Sequence, residues 1–133
     1  MERRIPPGPG QESVWDYPRP PRVEPAEKLI QVRIGGFLLA ESRRALRVLE
    51  TGLPPVYYLP PQDVRMESLR PSRRRRTFCT YKGWAHYYDA VLGDRHAEVV
   101  GWAYAEPTPP FAVLRDHVAF YASAAACYVD GER

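Results

Sequence analysis

Between Leu29 and Ala40 the chain alternates apolar and polar positions around a pair of glycines. Ile30, Val32 and Ile34 are separated by Gln31 and Arg33, and Gly35-Gly36 leads into Phe37-Leu38-Leu39-Ala40. A period of two broken by a two-residue glycine turn predicts a tight β-hairpin, with Ile34 opposite Phe37 and Val32 opposite Leu39. The same pattern recurs around Gly93-Asp94, where Trp84 to Val91 and His96 to Tyr104 read as the arms of a longer hairpin. A two-residue turn there pairs Leu92 with Arg95, and counting back sets His86 against Gly101, Trp84 against Ala103 and Ala85 against Trp102. Strand alternation then places Trp84, His86 and Tyr88 on one face and Tyr87 and Trp102 on the other.

The intervening segment reads differently. Ala45, Leu46 and Leu49 fall at helical spacing between Ser42, a candidate N-cap, and Gly52, a candidate stop, which predicts a short helix over Arg43 to Glu50. Val56-Tyr57-Tyr58-Leu59 lies between Pro54-Pro55 and Pro60-Pro61 and reads as a short edge strand. Pro61 opens a second one- or two-turn helix with Met66 and Leu69 facing inward, ended by Pro71. Past a rigid loop at Glu106 to Pro110, His117 to Tyr121 and Ala126 to Asp130 predict two last strands. The expected fold class is mainly β with minor α: about seven strands in compact twisted antiparallel sheets, with two short helices.

Residues 1–25 lack any periodic pattern and hold seven of the fifteen prolines, so they read as an extended arm, interrupted by Val14-Trp15-Asp16-Tyr17. Residues 26–133 then form one β-rich domain, a size that buries a core without disulfides or metal. The net charge of +3 is mild, and arginine supplies 17 of the 19 basic residues. Charge by itself therefore does not mark a nucleic-acid binder. Arg73 to Arg76 are four consecutive arginines whose guanidinium forks match phosphate, but a nucleic-acid site would add interleaved aromatics or a wider basic face. The run reads as a solvated connection, and nucleic acid is not an expected partner. No apolar run approaches a membrane span, and two cysteines without a secretory segment point to reduced thiols in the cytoplasm.

The densest chemistry lies in Phe78-Cys79-Thr80-Tyr81-Lys82-Gly83-Trp84-Ala85-His86-Tyr87-Tyr88. Cys79 is a candidate nucleophile if Lys82 or His86 lowers its pKa, against the plainer reading of a small buried hydrophobe. Lys82, one of two lysines in an arginine-dominated chain, offers a compact amine that can hold an anion, attack a carbonyl or cap a strand end. His86 is a candidate general base or a histidine packed under rings. The candidate catalytic set is Cys79, Lys82 and His86. The candidate ligand-binding set is Tyr57, Tyr81, Lys82, Trp84, His86 and Trp102, around an aromatic-lined cleft for a small polar or anionic ligand. In an extended run Cys79 and Lys82 face opposite ways, so the two come together only if the chain bends at Gly83. Cys79, His86, His96, His117 and Cys127 have no short-range ligand spacing, so no metal site is expected and no cofactor is named. The alternatives to a ligand-binding domain are a small-molecule enzyme with Cys79 or Lys82 as nucleophile and an interaction module that uses the Arg73–Arg76 loop and the N-terminal arm, and a homo-oligomer is compatible with either.

Several of these segments together resemble the domain-of-unknown-function family number 427. They are Trp15-Asp16-Tyr17-Pro18-Arg19-Pro20, Arg44 to Glu50, Pro54-Pro55-Val56-Tyr57-Tyr58-Leu59-Pro60, Cys79-Thr80-Tyr81-Lys82-Gly83, Trp102-Ala103-Tyr104 and His117 to Tyr121. Family members look like C-P-Y-K-G or C-x-W-K-G at the central motif, so Thr80 departs from the pattern while Cys79, Lys82 and Gly83 match it. The resemblance implies a compact antiparallel β fold akin to the β-tent domains, which hold small ligands in an aromatic cage. Those domains carry two C-x-x-C zinc knuckles that this chain lacks, which implies a loss of zinc. The nucleotidyltransferase-like label sometimes attached to the family implies paired carboxylates for magnesium, and no D-x-D spacing occurs here.

Overall fold

In the computed structural model, residues 21–133 are described, and the Trp15-Tyr17 segment lies outside them. Eleven strands occur in this range: β1 (Arg22–Pro25), β2 (Ile30–Ile34), β3 (Phe37–Ser42), β4 (Leu46–Leu49), β5 (Val56–Tyr58), β6 (Leu69–Pro71), β7 (Thr77–Cys79), β8 (Gly83–Leu92), β9 (Arg95–Ala103), β10 (Val118–Phe120) and β11 (Ala126–Val129). The fold is mainly β, and its sheets are antiparallel. Strands β10-β9-β8-β6 form the central sheet, with β7 also pairing to β8, while β1-β4-β5 and β11-β2-β3 form two smaller sheets. Leu59 and Val118 exchange backbone hydrogen bonds of 2.9 and 2.8 Å, which ties the end of β5 to β10.

Adjacent residues of the central strands feed two different cores. Val118, Ala90 and Leu92 join Ile30, Val32, Leu39 and Leu69 in one cluster. Ala119, Ala85 and Tyr87 join Val48, Tyr58, Phe111 and Leu114 in the other. A strand sends alternate side chains to opposite faces, so the central sheet is covered on both sides. Burying a side chain such as Leu39 or Leu114, each 0% exposed, contributes about 2 kcal/mol.

Both predicted hairpins form, each with a bulge that the alternation does not announce. Ile34 pairs with Phe37, but a register shift between Val32 and Arg33 sets Val32 against Ala40 instead of Leu39. In the longer hairpin Leu92 pairs with Arg95, and the register then moves by two, so that His86 faces Ala103 and Tyr87 faces Trp102. A shift of two keeps the parity, and Tyr87 and Trp102 share a face as expected. Asp89 holds this bulge by accepting the Val99 N–H at 2.8 Å, with Val99 at φ 51°. A β-branched residue in the left-handed region stores about 1–3 kcal/mol that the surrounding pairing outweighs.

The expected helix over 43–50 is instead strand β4. Ser42 Oγ accepts the Arg44 N–H at 2.9 Å, a cap-like bond that closes a local turn without starting a helix. Leu46 to Leu49 then pair with β1 on one side and β5 on the other, and two flanking strands outweigh a helical spacing of only three residues. The helical content of the described residues is three short 3-10 segments, Pro61–Asp63, Met66–Ser68 and Pro109–Leu114. Strand β1 lies within the range assigned to the arm, because Val23 and Glu24 find partners in Val48 and Arg47.

Asp63 fastens the turn before β4 to the Pro61–Asp63 segment. Its carboxylate accepts from Ser42 Oγ at 2.6 Å and from the Arg44 fork at 2.7 and 3.2 Å. The Arg44 fork, aided by Ser42, holds the Asp63 carboxyl below its ordinary range against a smaller opposing effect of burial. A carboxyl depressed on folding contributes stability above its unfolded pKa and loses it as pH falls through the folded value. Asp63→Asn is therefore expected to lower the Tm by a few degrees at neutral pH. The difference from the parent should vanish in acid below the ordinary Asp range, as thermal melts across pH would show.

Candidate functional site

The turn Thr80-Tyr81-Lys82 joins β7 to β8 and re-enters the ladder at Gly83, whose φ of 102° few side chains tolerate. That bend turns Lys82 inward. Its side chain is only 6% exposed, and its ammonium donates to Glu50 Oε1 at 2.6 Å and lies 5.9 Å from the centre of the Phe111 ring. Behind the turn, the Thr108 N–H donates to the Lys82 carbonyl at 3.1 Å, and the Thr108 hydroxyl donates to the Tyr81 carbonyl. Burial pulls the Lys82 pKa down. The bond and charge of Glu50, with Tyr58 and Cys79 nearby, outweigh it and leave the pKa raised, so the amine is charged at neutral pH.

Two phenols continue this buried polar cluster. Tyr58 is 2% exposed, and its Oη accepts the Trp102 Nε1–H at 3.1 Å. Its ring stands edge-on to Trp102 with centroids 6.1 Å apart. Tyr104 packs against it with ring centroids 6.3 Å apart. Burial raises the pKa of both, so each remains a protonated phenol. No buried side-chain nitrogen or oxygen among the described residues lacks a partner. The Lys82–Glu50 ion pair and the Trp102–Tyr58 bond, with Tyr104 packed on Tyr58, thus form a cluster whose buried polar atoms all have partners.

Trp102 carries the connection to the surface. Its ring meets Tyr121 at 4.5 Å between centroids, inclined by 44°. The pair forms one wall of a cleft whose other walls come from Tyr57, Leu53, Pro54, Phe120 and Cys127. The cavity volume is about 440 Å³, and Arg133 is the one charged residue among the described ones that line it. That size and lining match the clefts in which proteins hold small molecules, typically about 300–1,000 Å³. A wider apolar trough of about 1060 Å³ runs past Val23, Leu46, Tyr81, Phe111 and Val113, with Pro21, the first described residue, on its rim.

The residues singled out from sequence are thus divided among four places. Tyr57 and Trp102 line the aromatic cleft, and Tyr81 lines the trough. Lys82 is interior, and half-buried Cys79 lies beside it, packed against the second core cluster. Trp84 and His86 are on the opposite face of the β7–β8 ribbon. Cys79 pairs with Gly83 while Phe78 pairs with Trp84, so Cys79 shares the side of Gly83, Ala85 and Tyr87. His86 instead points with Trp84 and bonds through Nε2 to the Tyr88 hydroxyl at 3.1 Å. Burial lowers its pKa, and the charge of Arg76 works the same way against that of Asp116. The Cys79–His86 pairing that a nucleophilic mechanism needs is not formed.

Glu50 and Tyr121 escaped the sequence reading. A faint signal existed for Glu50: a lysine flanked by rings needs a carboxylate, and Glu50 closes an apolar run. Among the described residues no group of three or more His, Cys, Asp or Glu could hold a metal ion, and Cys79 and Cys127 are free thiols. The zinc knuckles of β-tent domains therefore have no counterpart in these residues. Among the same residues no helix is long and apolar enough to cross a membrane.

No curated protein matches the chain. A family model described as "Domain of unknown function (DUF427)" matches residues 22–131, from the first residue of β1 to the turn that follows β11. With that match covering every strand of the three sheets, the chain belongs to the DUF427 family.

Proposed function

We propose that this is a cytosolic ligand-binding domain whose site is the Trp102–Tyr121 cleft. Its ligand is a small planar ring compound bearing a polar or anionic substituent, the ring lying on the two aromatic side chains and the substituent reaching toward Arg133. The observation that carries this reading is the fixed indole. Trp102 is held from behind by its bond to Tyr58, and Tyr58 sits in the cluster that contains Tyr104 and the Lys82–Glu50 pair. A pre-set aromatic wall binds without first being ordered, which preserves affinity. Lys82 serves this site as an interior support and not as an anion anchor, because Glu50 already occupies its charge. The domain comprises residues 26–133 joined by strand β1.

This reading fits better than a catalytic one. An amine held charged beside a carboxylate is a poor nucleophile, and Cys79 and His86 sit on opposite faces. Titration with indole-3-carboxylate and benzoate, followed by calorimetry, tests the proposal. The parent should bind at least one of them, and Trp102→Leu should weaken it about tenfold or more, the loss expected when a stacked ring partner is removed. Equal affinity in Trp102→Leu, or no binding of either acid, would contradict the assignment.

A further inference from the structure

The outer face of the β7–β8 ribbon carries a second aromatic group that the cleft does not use. Phe78 and Trp84 are cross-strand partners, their rings 5.3 Å apart at 64°, and they remain 58% and 53% exposed. Rings of this size left in solvent side by side mark a contact surface more often than isolated exposed residues do. His86 and Tyr88 follow Trp84 on the same face of β8, their rings 5.2 Å apart.

The arginine run Arg73 to Arg76 feeds directly into β7 and reaches rings on both faces of β8. Ser72 anchors its start: its N–H donates to the Tyr87 carbonyl at 2.9 Å, and its hydroxyl accepts the Arg74 N–H at 3.1 Å. Arg74 then lies 4.3 Å from the centre of the Tyr87 ring, and Arg76 lies 5.7 Å from that of Trp84. All four arginines are exposed. Asp116 is the carboxylate whose charge reaches His86 and Tyr88, and Arg76 opposes it at His86. Arg76 thus sets a guanidinium beside the exposed Trp84 ring, the aromatic interleaving that the sequence alone did not show, while Arg74 covers the buried Tyr87 ring on the other face of β8.

We infer that this face is a binding site for single-stranded nucleic acid, with Phe78 and Trp84 as a stacking platform for unpaired bases and Arg73, Arg75 and Arg76 as contacts to the phosphates. Every base presents a π-face, so such a platform is tolerant of sequence, while the positive loop follows the backbone. A duplex hides its base faces and would engage only the arginines. An acidic peptide would likewise use the charge and leave the rings idle.

Fluorescence anisotropy on the full chain separates these cases. The probes are a labelled oligothymidylate and a labelled oligouridylate of about a dozen nucleotides, a blunt DNA duplex, and an oligoglutamate peptide of matched charge. The single strands should bind more tightly than the duplex and the peptide. Trp84→Ala and Phe78→Ala should each weaken the single strands by about five- to a hundredfold, the range for losing one stacked base. Arg75→Ala combined with Arg76→Ala should lower the slope of log K against log salt by about 0.7 for each phosphate contact removed. These positions are exposed, so circular dichroism and Tm should match the parent. Absence of binding, tighter binding of duplex or peptide, or unchanged affinity for the single strands in Trp84→Ala would overturn the inference.

Discussion

Replacing Glu50 by alanine is expected to destabilise the protein by about 2–3 kcal/mol, whereas Lys82→Met should stay within about 1 kcal/mol of the parent. The asymmetry follows from where the two charges sit. The Lys82 side chain is 6% exposed and that of Glu50 is 31% exposed, so removing the carboxylate strands a buried ammonium beside Phe111 and Tyr58. Removing the amine leaves a carboxylate that water can reach. The loss in Glu50→Ala falls short of the full cost of orphaning a buried charge, about 3–5 kcal/mol, because water can enter where Glu50 stood. It should lower the Tm by roughly 10 °C for a chain of this size. A double-mutant cycle with Glu50→Ala and Lys82→Met should show the second change relieving most of the first. The pH dependence has a definite sign. The Lys82 pKa is raised on folding, so its contribution is complete below the ordinary lysine range and fades as pH rises through the folded value. Denaturant midpoints of the parent should fall in strong alkali, and those of Lys82→Met should fall less.

Gly101→Ala should be about as damaging, for a steric reason. A Cβ at Gly101 would stand 2.5 Å from the Ala119 carbonyl oxygen and 3.2 Å from Cδ1 of Phe120. Both belong to β10, which is held against β9 by its pairing and by the Tyr121 N–H bond to the Val100 carbonyl at 2.9 Å. The alanine must push the two strands apart, and forcing extra volume into a packed site costs about 1–3 kcal/mol or more. Since Trp102 follows Gly101 and Tyr121 follows β10, the same displacement separates the rings that wall the cleft. Gly101→Ala should therefore lose near-ultraviolet dichroism together with stability. Gly36→Ala is the control: nothing lies within 4 Å of its added methyl, and its Tm should barely move.

The hairpins were legible because their two signals are local and agree. Strict alternation set the faces, and glycine-containing turns at Gly35-Gly36 and Gly93-Asp94 set the starting pairs. The bulges were not legible, since the bond from Val99 to Asp89 that holds one of them depends on a strand already in place. The segment 43–50 was misread because Ser42 and Gly52 look like helix caps, while the strands that recruit it, β1 and β5, lie on either side in sequence and announce no pairing with it.

The site was legible in part. The density of Cys79 to Tyr88 correctly drew the eye to a turn that buries Lys82, and the need for a bend at Gly83 was visible in the strand parity. The partner of Lys82 lies 32 residues earlier, and the phenols that extend the cluster come from β5 and from the residue after β9. Tyr121 and Trp102 meet only because β10 packs on β9. Motif density locates chemistry along a strand, but it does not say which face each group takes.

The central claim is that the Trp102–Tyr121 cleft holds a ring ligand. The most direct measurement is the indole N–H resonance of Trp102 in a ¹⁵N-labelled sample, assigned by its disappearance in Trp102→Phe, during titration with indole-3-carboxylate. The Trp102 Nε1–H is fixed on Tyr58 at 3.1 Å and sits at the back of the cleft, so occupancy should shift it in a saturable way while the resonance of exposed Trp84 stays in place. A saturating shift at Trp84 with Trp102 unmoved, or no shift at either, would contradict the account.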